Sequence, residues 1–320
     1  MDMARFGVSG ANKDINVTQR SPLLKDLKLG KSPEVPFVAN DVTYPWGYYL
    51  CDEIYLDWVP FVKSVTNLSD DDHKLLRYKA MHEAARKDVE QAFGVLKKQW
   101  AILATPARAY IKEKLANIMY TCIILHNMII KYCKEAISLE WYPEEEHQPD
   151  NLIRSDEQRY RIIRATTRDT RSMEGFFFCW PGHLVNFSDN PMFPASRFEE
   201  RFRMSRTLFT GLVEEVTLHC AFFREKEDYT RKLGIFPLMK CTSAIRQLTY
   251  DTVPDALDEY LQMGHAISRQ SLEHFCKSII QIFRHEFLRK PPITDVERLY
   301  TFQENKHGLS GTLESLDCTD

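Results

Sequence analysis

Residues 311–320 read GTLESLDCTD, and the placing of this short stretch governs how the whole chain is understood. Gly311 supplies a turn, Leu313 and Leu316 are apolar, and Asp317 and Cys318 follow, which is the pattern of a strand with an acid at its end. The residues before it, from about 183 to 310, read as helix after helix, so 311–320 changes character abruptly. A strand needs hydrogen-bonding partners on another strand. The question is where in the remaining sequence they lie.

At 320 residues with 44% hydrophobic and 27% charged content, the chain is long enough for two domains with buried cores. The net charge of −3 fits neither a polybasic nucleic-acid binder nor an acidic tail protein. The acidic excess is local: residues 138–157 hold seven carboxylates against the single Arg154. The eight cysteines include no CxxC pair, and no signal peptide precedes them, so they read as reduced thiols in a cytosolic or nuclear protein rather than a zinc site. The longest apolar run, NIMYTCIILHNMII (117–130), is too short and too interrupted by His126 and Asn127 to span a bilayer, and no membrane role is expected.

The segment SLEWYPEEEHQPDNLIRSDEQ (138–158), with Pro143, Pro149 and clustered acids, reads as a solvated linker, continued to residue 182 by a basic stretch. It separates a domain at 1–137 from a helical one at 183–310, with 311–320 as a further strand. In the first domain, MARFGVSG (3–10) and WGYYLCDEIYL (46–56) read as strands. SPLLKDLKLG (21–30) reads as a helix with Ser21 as N-cap and Gly30 as its stop. Longer helices are expected over roughly 72–99 and 111–136. In the second domain the apolar spacing predicts helices at 198–217, 237–250, 253–263 and 268–288, the last three suggesting a helix-turn-helix-like element.

Three acids sit where a site is conceivable. Asp14 follows the glycine-bearing loop GVSGANKD, Asp52 ends the strand-like YYLCD, and Glu90 borders the apolar stripe Ala85, Val89, Ala92, Phe93, Leu96 and Trp100. Taken singly, each has a plain structural reading: a turn aspartate, a strand-end aspartate, and a helical glutamate pairing with Arg86 one turn away.

Taken together, the phrases GANKDINV, SPLLKDL, PEVPFV, GYYLCDEIYLDWVPFVKSV, EAARKDVEQAFGVLKKQWAIL and IMYTCIILHNMI, in that order over residues 3–133, resemble the C-terminal half of the catalytic domain of plant PIF/Harbinger-type transposases and their domesticated nuclease relatives. NPMFPASRFEERFRMSRTLF, LGIFPLMKCTSAIRQLTY, DALDEYLQMG and GTLESLDC, over 186–318, resemble the N-terminal half of the same family. The two halves stand in inverted order. The resemblance implies an α/β fragment of an RNase H-like (DDE) catalytic domain, followed by an all-α helical domain. It also implies metal-dependent DNA cleavage, with Mg²⁺ or Mn²⁺ held by Asp14, Asp52, Glu90 and Asp317, and with Asp14, Glu90 and Asp317 as the catalytic acids. Cys51 stands where the family has a glycine before the Asp52 position. His126 and Asn127 match a helical HN pair, read as structural.

On that reading the chain would lack the strands between its first and second acids, so impaired cleavage is expected. Strand 311–318 would be expected to return to the N-terminal strand at 3–10, carrying Asp317 toward Asp14. DNA and a Myb-like protein are the implied partners, and the nucleus the implied location. The competing expectation is a DNA-binding or protein-interaction module without catalysis, in which Arg197, Arg201, Arg203 and Arg206 or the arginines of 159–171 meet phosphates.

Overall fold

Strand 312–315 lies beside strand 48–51, in parallel, although some 260 residues separate them in sequence. The computed structural model describes residues 35–51, 60–65, 72–105, 112–132, 194–227, 234–261, 263–289 and 291–315, and the expected linker at 138–182, helix at 21–30 and strand at 3–10 fall outside these. The chain separates into two units. One gathers described residues within Met1–Lys98, Pro106–Met119 and Arg284–Asp320, the other those within Gln99–Thr105 and Tyr120–Phe283. The described residues are mostly helical with a small sheet region.

The first unit begins with a hairpin. Strands β1 (Phe37–Ala39) and β2 (Val42–Tyr44) are antiparallel, joined by Asn40 and Asp41, both in the left-handed region at φ 50° and 63°. That is the two-residue turn whose twist matches the strands, and short polar side chains tolerate it. The rings of Phe37 and Tyr44 stack across the hairpin at 5.0 Å.

Next come β3 (Tyr48–Cys51) and β4 (Phe61–Lys63), and with β5 (Thr312–Ser315) they form a parallel three-stranded sheet in the order β4-β3-β5. Tyr49 stands opposite Phe61 on one side and Glu314 on the other, with a register irregularity in the β3–β5 pairing between Tyr48 and Tyr49. Parallel sheets are covered on both faces, and successive residues point to opposite faces. Here Leu50, with Tyr48 and Val62, packs against Tyr78, Met81 and Ala85 of α1 (His73–Gln99). Tyr49, Cys51, Phe61 and Leu313 pack instead against Val35 and against Val296 and Tyr300 of α8 (Ile293–His307).

Two glycines make the closure of this sheet possible. A Cβ on Gly47 would meet the Tyr300 hydroxyl, the Gly311 carbonyl and the Leu313 side chain, so the backbone approaches too closely for any side chain. Gly311 has φ 76° and lies against the Phe37 ring. The Tyr48 amide donates to the Gly311 carbonyl at 3.0 Å, which starts the β3–β5 ladder.

In the second unit, the stretch expected as one helix over 198–217 is two: α3 (Ala195–Phe202) and α4 (Arg206–His219). Arg203 adopts the left-handed conformation at φ 59° and ends α3, and the Ser205 hydroxyl caps α4 by accepting from the Leu208 amide at 3.3 Å. The helices expected at 237–250, 253–263 and 268–288 are present as α5 (Pro237–Tyr250), α6 (Pro254–Leu261) and α7 (His265–Phe287), after α2 (Lys112–Tyr132) and a 3₁₀ turn at Ala101–Leu103. Trp100, Phe209, Phe223, Phe275 and Phe283 are fully enclosed. The Ser243 and Ser268 hydroxyls meet at 2.8 Å, and Gln247 donates to the Ser268 carbonyl at 2.9 Å, which satisfies this buried polar group.

The described cysteines form no disulfide with one another. Burial pushes the Cys276 thiol up to about 12 and the Cys122 thiol well above its ordinary value, so neither ionises near neutrality. Among the described residues no helix is long and apolar enough to cross a membrane.

Candidate functional site

Because β3, β4 and β5 are parallel, their carboxyl ends at Cys51, Lys63 and Ser315 share one edge of the sheet. In open α/β sheets that edge is where ligands and catalytic groups collect. Asp52 is the residue after Cys51, and Asp317 lies two residues after Ser315. Both acids, and Asp14, fall outside the described residues.

Glu90 is described, on α1, and is exposed. The contacts of α1 fix which way it runs. The Tyr78 hydroxyl donates to the Lys63 carbonyl at 3.4 Å, and His82 Nε2 meets the Val62 carbonyl at 3.0 Å, so this part of the helix lies beside the carboxyl end of β4. Ten residues after Tyr78, Asp88 meets Lys306 and His307, in the last turn of α8 and just before β5 begins. The helix therefore descends from the carboxyl edge toward the amino edge. Glu90 is twelve residues past Tyr78, about 18 Å along the axis at 1.5 Å per residue. Of the four expected metal-binding acids, the one whose position is described lies away from the strand carboxyl ends.

Asp88 has the role at that end of the helix. Its Oδ2 accepts from Lys306 Nζ at 2.7 Å and from His307 Nε2 at 2.8 Å. Burial alone would raise its carboxyl, but the hydrogen bonds and charges of Lys306 and His307 outweigh that and hold it below the usual range. The pair ties α1 to the C-terminus of α8, where Gly308 at φ 69° ends the helix and its amide donates to Glu304 at 2.8 Å.

A second acid that sequence reading did not single out stands inside the sheet. Glu314 of β5 is partly buried opposite Tyr49, and burial pushes its carboxyl from the usual 4.5 up to about 7. Burial, then Glu314 and then Tyr300, push the Tyr49 hydroxyl well above its ordinary value, while Tyr300 Oη donates to the Val35 carbonyl at 3.1 Å. The alternation in TLES marks Glu314 as outward-facing; the register irregularity beside Tyr49 defeats that pattern. The linkage follows from the sign of the shift. Native Glu314 holds a proton that the unfolded chain releases near 4.5, so its contribution is fully present below that pH and is lost as pH rises through about 7. Denaturant titrations between pH 5 and 8 should show this falling stability in the parent chain and a flatter profile in Glu314→Gln.

His126 and Asn127 sit on α2. His126 Nδ1 faces the Gln99 amide oxygen, which only accepts, so Nδ1 carries the proton, and burial lowers the pKa of the ring and keeps it neutral. This is a packing and hydrogen-bonding role.

Residues 2–136 match the family described as plant transposon protein. That match covers less than half of the chain, and it contains β3, β4 and α1 but not β5, which completes their sheet. Transposon-derived ancestry is thereby supported for this segment. Residues 186–217, which hold α3 and most of α4, match a domain of unknown function. The chain matches no curated protein and no solved structure.

The divalent cation implied by the family resemblance would need several hard oxygen ligands converging on one point. Carboxylates are the right donors. Among the described residues, however, no group of three or more histidines, cysteines or acids is gathered closely enough to hold a metal ion, and Glu90 lies far along α1 from the strand carboxyl ends. Asp14, Asp52 and Asp317 lie outside the described residues, so Glu90 is the one acid of the expected set among them.

Proposed function

We propose that the chain is a transposase-derived relative of PIF/Harbinger-type, DDE-class DNA nucleases in which cleavage is impaired. The observation that carries this reading is the parallel pairing of β5, from outside the matched segment, with β3, which lies within the segment that matches a plant transposon protein. The permuted reading expects strand 311–318 to return to the N-terminal domain at strand 3–10; β5 does return to that domain, beside β3, and strand 3–10 lies outside the described residues. The strands preceding Asp52 and Asp317 end at the same edge, where two of the acids of a Mg²⁺ or Mn²⁺ site would belong. The course of α1 carries Glu90 away from that edge, and a catalytic constellation tolerates displacements of only about 0.5 Å. Nuclear localisation and a Myb-like DNA-binding partner belong to the same proposal.

The test is direct. Purified chain incubated with supercoiled plasmid and Mg²⁺ or Mn²⁺ is expected to leave the plasmid intact. Metal-dependent nicking that disappears in Glu90→Gln would overturn the impairment and place Glu90 in a working site. The second reading, nucleic-acid binding without catalysis, is favoured by a specific arrangement of arginines in the helical unit.

A further inference from the structure

We propose that Arg203, Arg206 and Arg246, mounted on an aromatic platform in the helical unit, form a phosphate-binding surface for the backbone of a nucleic acid. The proposal deepens the binding reading above by naming its site and stands apart from the acid site.

The platform is built from α3, α4 and α5. The rings of Phe198 and Phe202 stack at 4.3 Å, and Phe202 meets Phe209 at 4.8 Å, anchoring both in the core. Three guanidinium groups lie over this array. Arg206 stands 5.3 Å from the Phe198 centroid, Arg246 stands 5.5 Å from Phe202 and 5.3 Å from Tyr250, and Arg203 stands 5.9 Å from Tyr250. Tyr250 is exposed, with its hydroxyl 3.5 Å from the Glu200 carbonyl. The three cations thus form one continuous array: Arg206 joins through the stacked Phe198–Phe202 pair to Arg246, and through Tyr250 to Arg203.

What points to a ligand is the state of the donors. Among the described residues, Arg203 Nε and Arg206 Nε and Nη2 are buried and meet no hydrogen-bond acceptor. Guanidinium N–H groups withdrawn from water normally meet a carboxylate or carbonyl, and leaving them unmet is unfavourable. Stacking on the rings holds the Arg203 and Arg206 forks in place to meet an anion, with Arg246 adding positive charge beside them. Arg203 and Arg206 also bracket the capped N-terminus of α4, where the helix dipole favours negative charge. Among the described residues no acid occupies these donors. Glu199 and Glu200 are exposed on α3, and Asp251 Oδ2 accepts from the Thr105 hydroxyl at 2.9 Å. A row of cations spread over aromatic rings fits the repeated phosphates of a polynucleotide better than a single acidic side chain.

The experiment measures binding of the full chain to a fluorescent DNA duplex of arbitrary sequence by anisotropy, over a range of salt concentrations and without divalent metal. Arg203→Gln and Arg206→Gln are each expected to reduce the slope of log K against log salt by about 1, and together to weaken binding about tenfold or more at low salt. In the unaltered chain, the duplex is expected to protect Arg203 and Arg206 from an arginine-modifying reagent, a readout that does not depend on any variant folding. Duplex binding with an unchanged slope in both variants, or no protection of these arginines, overturns the proposal. Protection by poly-glutamate but not by DNA also overturns it and assigns the surface to an acidic peptide.

Discussion

Gly47→Val is expected to detach the C-terminal strand from the sheet and to lower the stability of the α/β unit by about 3 kcal/mol, the upper end for forcing atoms into a filled site. A Cβ at this position would meet the Gly311 carbonyl, the Tyr300 hydroxyl and Leu313 together. A long side chain could move aside, but the Gly311 carbonyl accepts the Tyr48 amide and is the first rung of the β3–β5 ladder. Hydrogen exchange should show the Tyr48 amide losing protection, along with the amides of β5. An unchanged exchange pattern and denaturation midpoint would mean that the close approach at Gly47 is not a feature of the folded protein.

How far the sequence foretold this varies from element to element. The helices 237–250 and 268–288 are legible because apolar residues recur at helical spacing over several turns, and α5 and α7 match them within a few residues. The break at Arg203 is hidden within a continuous apolar stripe, because Phe198, Phe202 and Phe209 keep facing the same core across it. Ser205, with Leu208 three residues on, is the local signal that marks it. The β1–β2 hairpin also has a readable turn, Asn40-Asp41, but three-residue strands give too few alternations to stand out. Residues 293–307 read only as part of a helical half, and nothing in their pattern says that Val296 and Tyr300 face a sheet built largely from the N-terminal third.

The candidate site was less legible than the fold. Acid types and their order are sequence properties, and Asp14, Asp52, Glu90 and Asp317 stand out by resemblance. Where a helical acid points depends on the course of the helix. Here that course is set by Tyr78 and His82 at one end and by Asp88 with Lys306 and His307 at the other. The arginine platform was half visible: Arg203 and Arg206 were candidates for phosphate contact, while Arg246, forty residues on, joins them only through the packing of α5.

The second large effect is expected in the helical unit. Phe209 is fully enclosed and meets both Phe198 and Phe202, at 6.1 and 4.8 Å, so Phe209→Ala removes a ring from the centre of the α3–α4 junction and leaves a cavity. Substitutions of this kind cost about 3–5 kcal/mol. The loss should appear in denaturant melts, with exchange protection falling first in α3 and α4. Since Phe198 and Phe202 carry Arg206 and Arg246, the same variant should also weaken duplex binding if the arginine platform is the binding surface. A loss of less than about 1 kcal/mol would show that the aromatic cluster is not the core of this unit.

The central claim is that a strand from the end of the sequence completes a parallel sheet begun near its start. Leu50 of β3 and Leu309, just before β5, belong to one buried cluster with Ala85. Methyl nuclear Overhauser spectroscopy on the selectively labelled chain tests this directly. Cross-peaks between the Leu50 and Leu309 methyl groups, abolished by Leu309→Ala, are the result the account predicts. A spectrum of the folded chain with no contact between any methyl of residues 35–63 and any of residues 296–315 would contradict it.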